Sequence, residues 1–155
     1  MSFRSPILFS AILGVVVGFT ASATAQDSTA RTRLQLLKTE WEKTPDNLKV
    51  ALVLGGELRR MGKIKEGNLV VENSITALEK RAESEGDSAE LQYLLGTGSL
   101  FLNRNEAALN SFQFALSLEP EREEIHLGLI RSLLNLGRGA EAADALQLAG
   151  VLFPE

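Results

Sequence analysis

Cysteine is absent from this chain of 155 residues, and histidine, tryptophan and tyrosine each occur once. The lack of cysteine excludes disulfides, thiolate metal ligands, a cysteine nucleophile and a lipid-modified cysteine anchor. Basic residues are also few, since 16 Lys and Arg stand against 20 Asp and Glu and the formal net charge is −4. We therefore expect no nucleic-acid partner, because the chain lacks the basic field that holds phosphates.

Side chains able to perform acid–base or nucleophilic chemistry are scarce. The lone histidine, His126, stands in "EREEIHLG" beside Glu121, Glu123 and Glu124, and this setting predicts a partly exposed helix residue near a helix N-terminus. No second histidine is present to complete a metal site. The "GTGS" segment at 96–99 lacks the lysine and the preceding strand of a phosphate loop. We predict a protein that is not an enzyme and has no metal or cofactor.

The segment from Met1 to Ala25 has the pattern of an export signal. Arg4 is followed by an apolar run from Ile7 to Phe19, and Ala23 and Ala25 form the small-residue motif that signal peptidase reads. This predicts cleavage before Gln26 and, after cleavage, no stable membrane span. The alternative is an uncleaved anchor that tethers the chain to the membrane. Together with the missing cysteine, the signal favours a bacterial periplasm.

A repeat of constant length governs the C-terminal half of the chain. Ala108, Phe112, Ala115 and Pro120 reappear at one fixed offset as Ala142, Leu146, Ala149 and Pro154. Short turns of Gly, Asn and Arg divide each unit into two segments whose apolar residues have helical spacing. Each unit is thus predicted to be a helix, a tight turn and a second helix closed by proline.

This pattern resembles the tetratricopeptide repeat family, with Leu95, Gly96, Ala108, Phe112, Ala115 and Pro120 as the matching residues of one unit. The resemblance implies an all-α, right-handed α-solenoid of helix–turn–helix repeats. Small residues at 108 and 115 should let the paired helices approach closely, and Phe112 should fill the wedge between its own pair and the next.

Weaker units precede the two clear ones. A degenerate unit has an elongated second helix predicted over 64–84 and ending near Gly86, with Asp87 and Glu90 as the capping box of the next helix. Before it, Leu34, Leu37 and Trp41 share one helical face and predict a lid over the first pair. The predicted division is a signal peptide at 1–25, a half-repeat at 26–46, and repeats at 47–88, 89–122 and 123–155.

The resemblance also implies a binding surface, because the first helices of such repeats line a concave groove. Helical spacing places nine candidate residues there: Leu52, Arg59, Arg60, Tyr93, Thr97, Phe101, Leu127, Arg131 and Asn135. Arginine mixed with aromatic and aliphatic residues is typical of interface hot spots. One family subgroup grips C-terminal carboxylates with Lys and Asn at defined groove positions. Here only Arg131 matches, and the other places hold Leu52, Gly56, Thr97 and Leu127, so that ligand is not expected.

The predicted function is a protein-binding adaptor of the cell envelope whose groove receives a peptide or helix of a partner protein. A structural alternative comes from the C-terminus, where Leu148, Leu152 and Phe153 have no polar terminal helix to cover them. These residues either fold back on the first helix of their own unit or meet another chain. In the second case, the protein is a self-assembling subunit that dimerises through this face.

Overall fold

The computed structural model describes residues 29–154, and every regular element in that range is a helix. The predicted signal peptide, with its cleavage site before Gln26, lies outside the described residues. The first helix, α1, covers residues 29–43. Six more follow: α2 (Leu48–Arg60), α3 (Ile64–Glu85), α4 (Ala89–Phe101), α5 (Asn105–Leu118), α6 (Glu123–Asn135) and α7 (Gly139–Leu152). The elongated helix predicted over 64–84 is α3.

Three hairpins, α2–α3, α4–α5 and α6–α7, turn through the same residue conformation. Gly62, Asn103 and Gly137 occupy one repeat position, and each has a positive φ, of 78°, 58° and 74°. This left-handed conformation is open to glycine and tolerated by asparagine, which explains the residue types of the turns. The following amide closes each helix in the same way: the N–H of Arg104 donates to the carbonyl of Ser99, for example, at 2.8 Å.

Small residues hold the two helices of each hairpin together. Ala108 and Ala115 are fully buried between α4 and α5, as predicted. In the first hairpin the contact is closer still, because a Cβ placed on Gly67 would lie 2.6 Å from the carbonyl oxygen of Gly55. Only glycine at these two positions permits this approach of the α2 and α3 backbones.

Phe112 joins the second hairpin to the third. Its ring lies between Gly96 of α4 and Gly128 of α6, where added Cβ atoms would fall 2.8 and 2.5 Å from ring carbons. The side chain is 1% exposed and belongs to a buried cluster that includes Ile125 of α6. The predicted wedge between successive pairs is confirmed.

Helix α1, predicted to form a lid, lies against the first hairpin through Trp41. Trp41 packs against the buried cluster of the first hairpin, and its Nε1 donates a hydrogen bond to the Oγ of Ser74 at 2.9 Å. Ser74 is fully buried on α3, so this bond satisfies a hydroxyl that has left water. Trp41 is a packing residue of the lid.

Two local predictions were wrong. Ser88 caps α4, its hydroxyl accepting from the N–H of Leu91, whereas Asp87 accepts from the side chain of Gln92 and no capping box with Glu90 forms. His126 is buried rather than partly exposed. Its Nε2 lies 2.7 Å from the carbonyl oxygen of Pro120, and its ring meets that of Phe153 edge-on at 5.5 Å.

Candidate partner-binding groove

Four of the nine predicted groove residues surround one hollow between α4 and α6. These are Tyr93, Thr97, Leu127 and Arg131, and the two on each helix are one helical turn apart. The hollow measures about 260 Å³. Its remaining walls are formed by Leu100, Phe112, Glu124 and Gly128. The side chains leave an apolar floor with one cation and one carboxylate at the rim.

Tyr93 is held in place from two sides. Its ring lies 6.1 Å from that of Phe112 at an angle of 55°, and the guanidinium carbon of Arg122 lies 4.8 Å from the centroid of the Tyr93 ring. Arg122 in turn bonds Glu90 at 2.5 Å and approaches Glu119 and Glu124 at 3.5 and 3.6 Å. The hydrogen bond to Glu90 raises the pKa of Arg122, so the cation stays charged over the ring.

The polar groups at the hollow differ in how far they are already engaged. The hydroxyl of Thr97 donates to the carbonyl of Tyr93 at 2.8 Å and is therefore committed to its own helix. Arg131 is exposed and makes no ion pair with any residue from 29 to 154. Its guanidinium donors remain open to an acceptor outside the described chain.

The other predicted groove residues lie elsewhere or have structural partners. Leu52 and Phe101 pack against the core of the first hairpin. Arg59 lies over the Phe101 ring, with 4.9 Å to its centroid, and donates to the Phe101 carbonyl at 3.0 Å. Arg60 pairs with Glu57 within its own helix. Asn135 donates to Asn105 at 3.1 Å, which ties α6 to the start of α5.

Sequence reasoning missed Arg122 and Glu124 as groove residues. Glu124 carried a signal, since its spacing from Leu127 and Arg131 places all three on one helical face. Arg122 carried none, because it stands in the turn between hairpins and the equivalent position of the preceding repeat holds Ser88.

Metal-binding clusters and membrane-spanning helices are both absent from the residues that the structure describes. Between residues 29 and 154, no three His, Asp or Glu side chains are grouped closely enough to hold a metal ion. In the same range, no helix combines the length and the apolar character needed to cross a bilayer.

Comparisons with known proteins agree with this helical arrangement. The family model described as "Tetratricopeptide repeat" matches residues 102–153. No curated protein sequence matches the chain.

Among solved structures, the chain is similar to MamA AMB-1 in two forms, with 29% and 27% identity and TM-scores of 0.50 and 0.51. These matches cover 77% and 84% of this chain, and 61% and 73% of the MamA chains. A MamA mutant gives 27% identity, a TM-score of 0.52 and coverage of 86% of this chain and 92% of its own. The chain thus spans about three fifths of the first MamA structure.

The repeat offset, the shared turn conformation, the wedge of Phe112 and the family match all describe one architecture. Stacked helical hairpins of this kind present extended surfaces to other proteins and act generally as protein-interaction scaffolds. Residues 102–153 match the tetratricopeptide repeat family, and the helical hairpins of residues 29–154 have the fold of the similar MamA structures.

Proposed function

We propose that this protein is a non-catalytic adaptor of the cell envelope that holds a peptide or helix of a partner protein in the groove between α4 and α6. The observation that carries the proposal is the shared hollow of Tyr93, Thr97, Leu127 and Arg131. A groove that joins a fixed aromatic ring, an exposed leucine and an uncommitted arginine has the composition of interface hot spots.

The chemistry of the hollow favours a particular partner segment. Its floor suits one medium-sized apolar side chain, and Arg131 suits a carboxylate on the same segment. Tyr93 supplies contact area at low entropic cost, because Phe112 and Arg122 already fix its ring. The proposed ligand is therefore an apolar anchor residue with an Asp or Glu nearby, rather than a free C-terminal carboxylate.

Export of the chain is part of the same proposal and rests on the signal pattern of residues 1–25. Cells that express the whole chain should yield a protein beginning at Gln26 in the periplasmic fraction. N-terminal sequencing checks this. A protein that keeps residue 1 and stays with the membrane fraction favours the tethered alternative, and recovery from the cytosol contradicts export.

The groove is tested by crosslinking and pull-down from an envelope extract with a Leu127→Ala/Arg131→Ala variant. Both side chains are exposed, so circular dichroism should show an unchanged fold. A matched control removes an exposed leucine and an exposed cation from α3, as Leu69→Ala/Lys80→Ala. A partner held by the native protein and the control but lost by the groove variant supports the proposal. Equal capture by all three proteins places the binding surface elsewhere.

A further inference from the structure

The hollow between α4 and α6 carries opposite charges at its two ends. Glu124 and Arg131 both line it, and they stand two helical turns apart on α6, which separates their backbones by roughly 10 Å along the helix axis. Leu127 and Gly128 lie between them and line the same hollow. Glu124 and Arg131 are both exposed to solvent. The hollow is therefore apolar in the middle and charged at each end.

The end of the hollow at Glu124 has more carboxylates than cations. Arg122 is the common partner of three carboxylates, with 2.5 Å to Glu90, 3.5 Å to Glu119 and 3.6 Å to Glu124. The contact to Glu124 is the longest of the three, and the Glu124 side chain is 62% exposed. One guanidinium does not neutralise three carboxylates, so Glu124 remains available to a basic group of a partner.

The end of the hollow at Arg131 has the opposite sign. Arg131 makes no ion pair within residues 29–154, so its charge is not neutralised by the described chain. The next residue along this side of α6, Asn135, is uncharged and donates its hydrogen bond to Asn105. A segment that lies along the hollow thus meets a carboxylate at one end and a guanidinium at the other.

The walls of the hollow favour a helical segment over an extended one. The hydroxyl of Thr97 already donates to the carbonyl of Tyr93, and the backbone groups in the middle of α4 and α6 are paired within their own helices. An extended segment would bring unpaired backbone N–H and C=O groups against this apolar floor, whereas a helix pairs them internally. A helix also presents one face across two turns, which matches the interval from Glu124 to Arg131.

We propose that the hollow takes a helix of a partner protein that runs antiparallel to α6 and presents, in order, an acid, an apolar residue and a base across two turns of one face. This inference rests on the proposed function, because it specifies the ligand of the same groove. The acid pairs with Arg131, the apolar side chain packs on Leu127 and Tyr93, and the base pairs with Glu124. The direction follows from the helix dipole, since a short helix is stabilised by acids near its N-terminus and bases near its C-terminus.

Selection from a displayed peptide library tests this ligand without the natural partner. The library is an alanine-rich helical peptide that is randomised at four positions of one face, at residues i, i+3, i+4 and i+7. Selection on protein purified from cells that express the whole chain should recover Asp or Glu at i, an apolar residue at i+3 or i+4, and Lys or Arg at i+7. Selection on Arg131→Glu should change the acid at i to a base, and selection on Glu124→Lys should change the base at i+7 to an acid.

Affinities of one recovered peptide measure the same effect. Fluorescence anisotropy should show that Arg131→Glu weakens binding about tenfold, because an attraction at the rim becomes a repulsion. Lys80→Glu and Glu79→Lys are matched controls, since both side chains are exposed on α3, away from the hollow. These two changes should leave the selected sequences and the affinity as they are in the native protein.

The outcomes separate this inference from the proposed function. Peptides whose charges do not respond to Arg131→Glu and Glu124→Lys overturn the inference, as do peptides in which the base precedes the acid. The groove then remains the binding site if Leu127→Ala/Arg131→Ala still abolishes binding. Peptides that bind this double variant as tightly as the native protein contradict the proposed function itself. A selection that recovers no peptide overturns only the helical ligand, because the pull-down from an envelope extract tests the groove independently.

Discussion

Phe112 and Leu146 occupy the same repeat position and have opposite environments. Phe112 is 1% exposed between two glycines, whereas Leu146 is 59% exposed on the last helix. Nothing within their own hairpins causes this difference, because both helices present the position to the same side. The next hairpin causes it. In a stack of repeats, each unit specifies a face, and the neighbouring unit decides whether that face becomes core or surface.

The largest expected difference comes from truncating each of the two side chains, Phe112 and Leu146, to alanine. Phe112→Ala should lower the free energy of unfolding by about 3–5 kcal/mol, since a buried ring leaves a cavity. Leu146→Ala should cost about 1 kcal/mol, because most of its apolar surface is already in water. Urea denaturation of the two variants and of the native protein measures both losses of free energy.

A loss of several kcal/mol could unfold a small domain, so a milder change accompanies Phe112→Ala. Phe112→Leu installs the residue that the next unit carries at this position and should cost about 1–2 kcal/mol. If truncation at 112 and at 146 proves equally costly, Leu146 is as buried as Phe112 in the folded protein. The contrast drawn between Phe112, buried between two hairpins, and Leu146, exposed on α7, would then be wrong.

Replacing a glycine by alanine should change the stability in opposite directions at Gly128, which contacts Phe112, and at Gly150, on α7. A Cβ on Gly128 would lie 2.5 Å from the Phe112 ring, which Gly96 blocks from the other side. Gly128→Ala should therefore destabilise the fold by about 1–3 kcal/mol through overpacking. Gly150→Ala meets open space and should stabilise α7 by up to about 1 kcal/mol through helix propensity. Thermal unfolding of the two variants shows whether the shifts are opposite.

The sequence carried the architecture because small residues and turns repeat where backbones meet. Ala108 and Ala115 predicted close helices, and Asn103 stood where a left-handed residue was needed, so hairpins followed directly. Side-chain exposure was predicted less well where it depends on contacts between segments. His126 is buried because Phe153 folds back onto α6 from beyond the end of α7, and no local pattern encodes that return.

Of the two outcomes expected for the C-terminal apolar residues, the structure shows the fold-back, for one side chain, and contact with another chain stays a prediction. Phe153 folds back and packs against the core of the last hairpin, whereas Leu148 and Leu152 stay exposed. The groove residues also show what sequence reasoning could and could not predict. Helical spacing finds Tyr93, Thr97, Leu127 and Arg131, but it cannot tell that Phe101 is occupied by Arg59 and the core, because that depends on the crossing of α2 and α4.

Ion pairs at the hairpin turns also differ between successive repeats, and we expect their effect on the free energy of unfolding to be much smaller. Arg104 reaches back 2.5 Å to Glu72 of the preceding hairpin, whereas Arg138, its counterpart in the next repeat, pairs locally with Glu141 at 2.6 Å. The hydrogen bond from Arg138 lowers the pKa of Glu141 below its ordinary value of 4.5. The stability from this pair is therefore present above pH 4.5 and is lost as the pH falls through the lowered pKa of the folded state.

Replacement of Glu141 should reveal this loss of stability at low pH, and we expect it to be the smallest of the predicted effects on stability. Glu141→Gln should lower Tm slightly at about pH 7, and the difference from the native protein should shrink as the pH falls through the lowered pKa of Glu141, because the native side chain then loses its charge as well. Glu121→Gln is the matched control, since Glu121 is exposed and forms no ion pair within residues 29–154. A Tm difference that grows on acidification would mean that Glu141 acts through its proton rather than through Arg138. The local pair of Arg138 and Glu141 would then contribute nothing to the stability of the last hairpin turn.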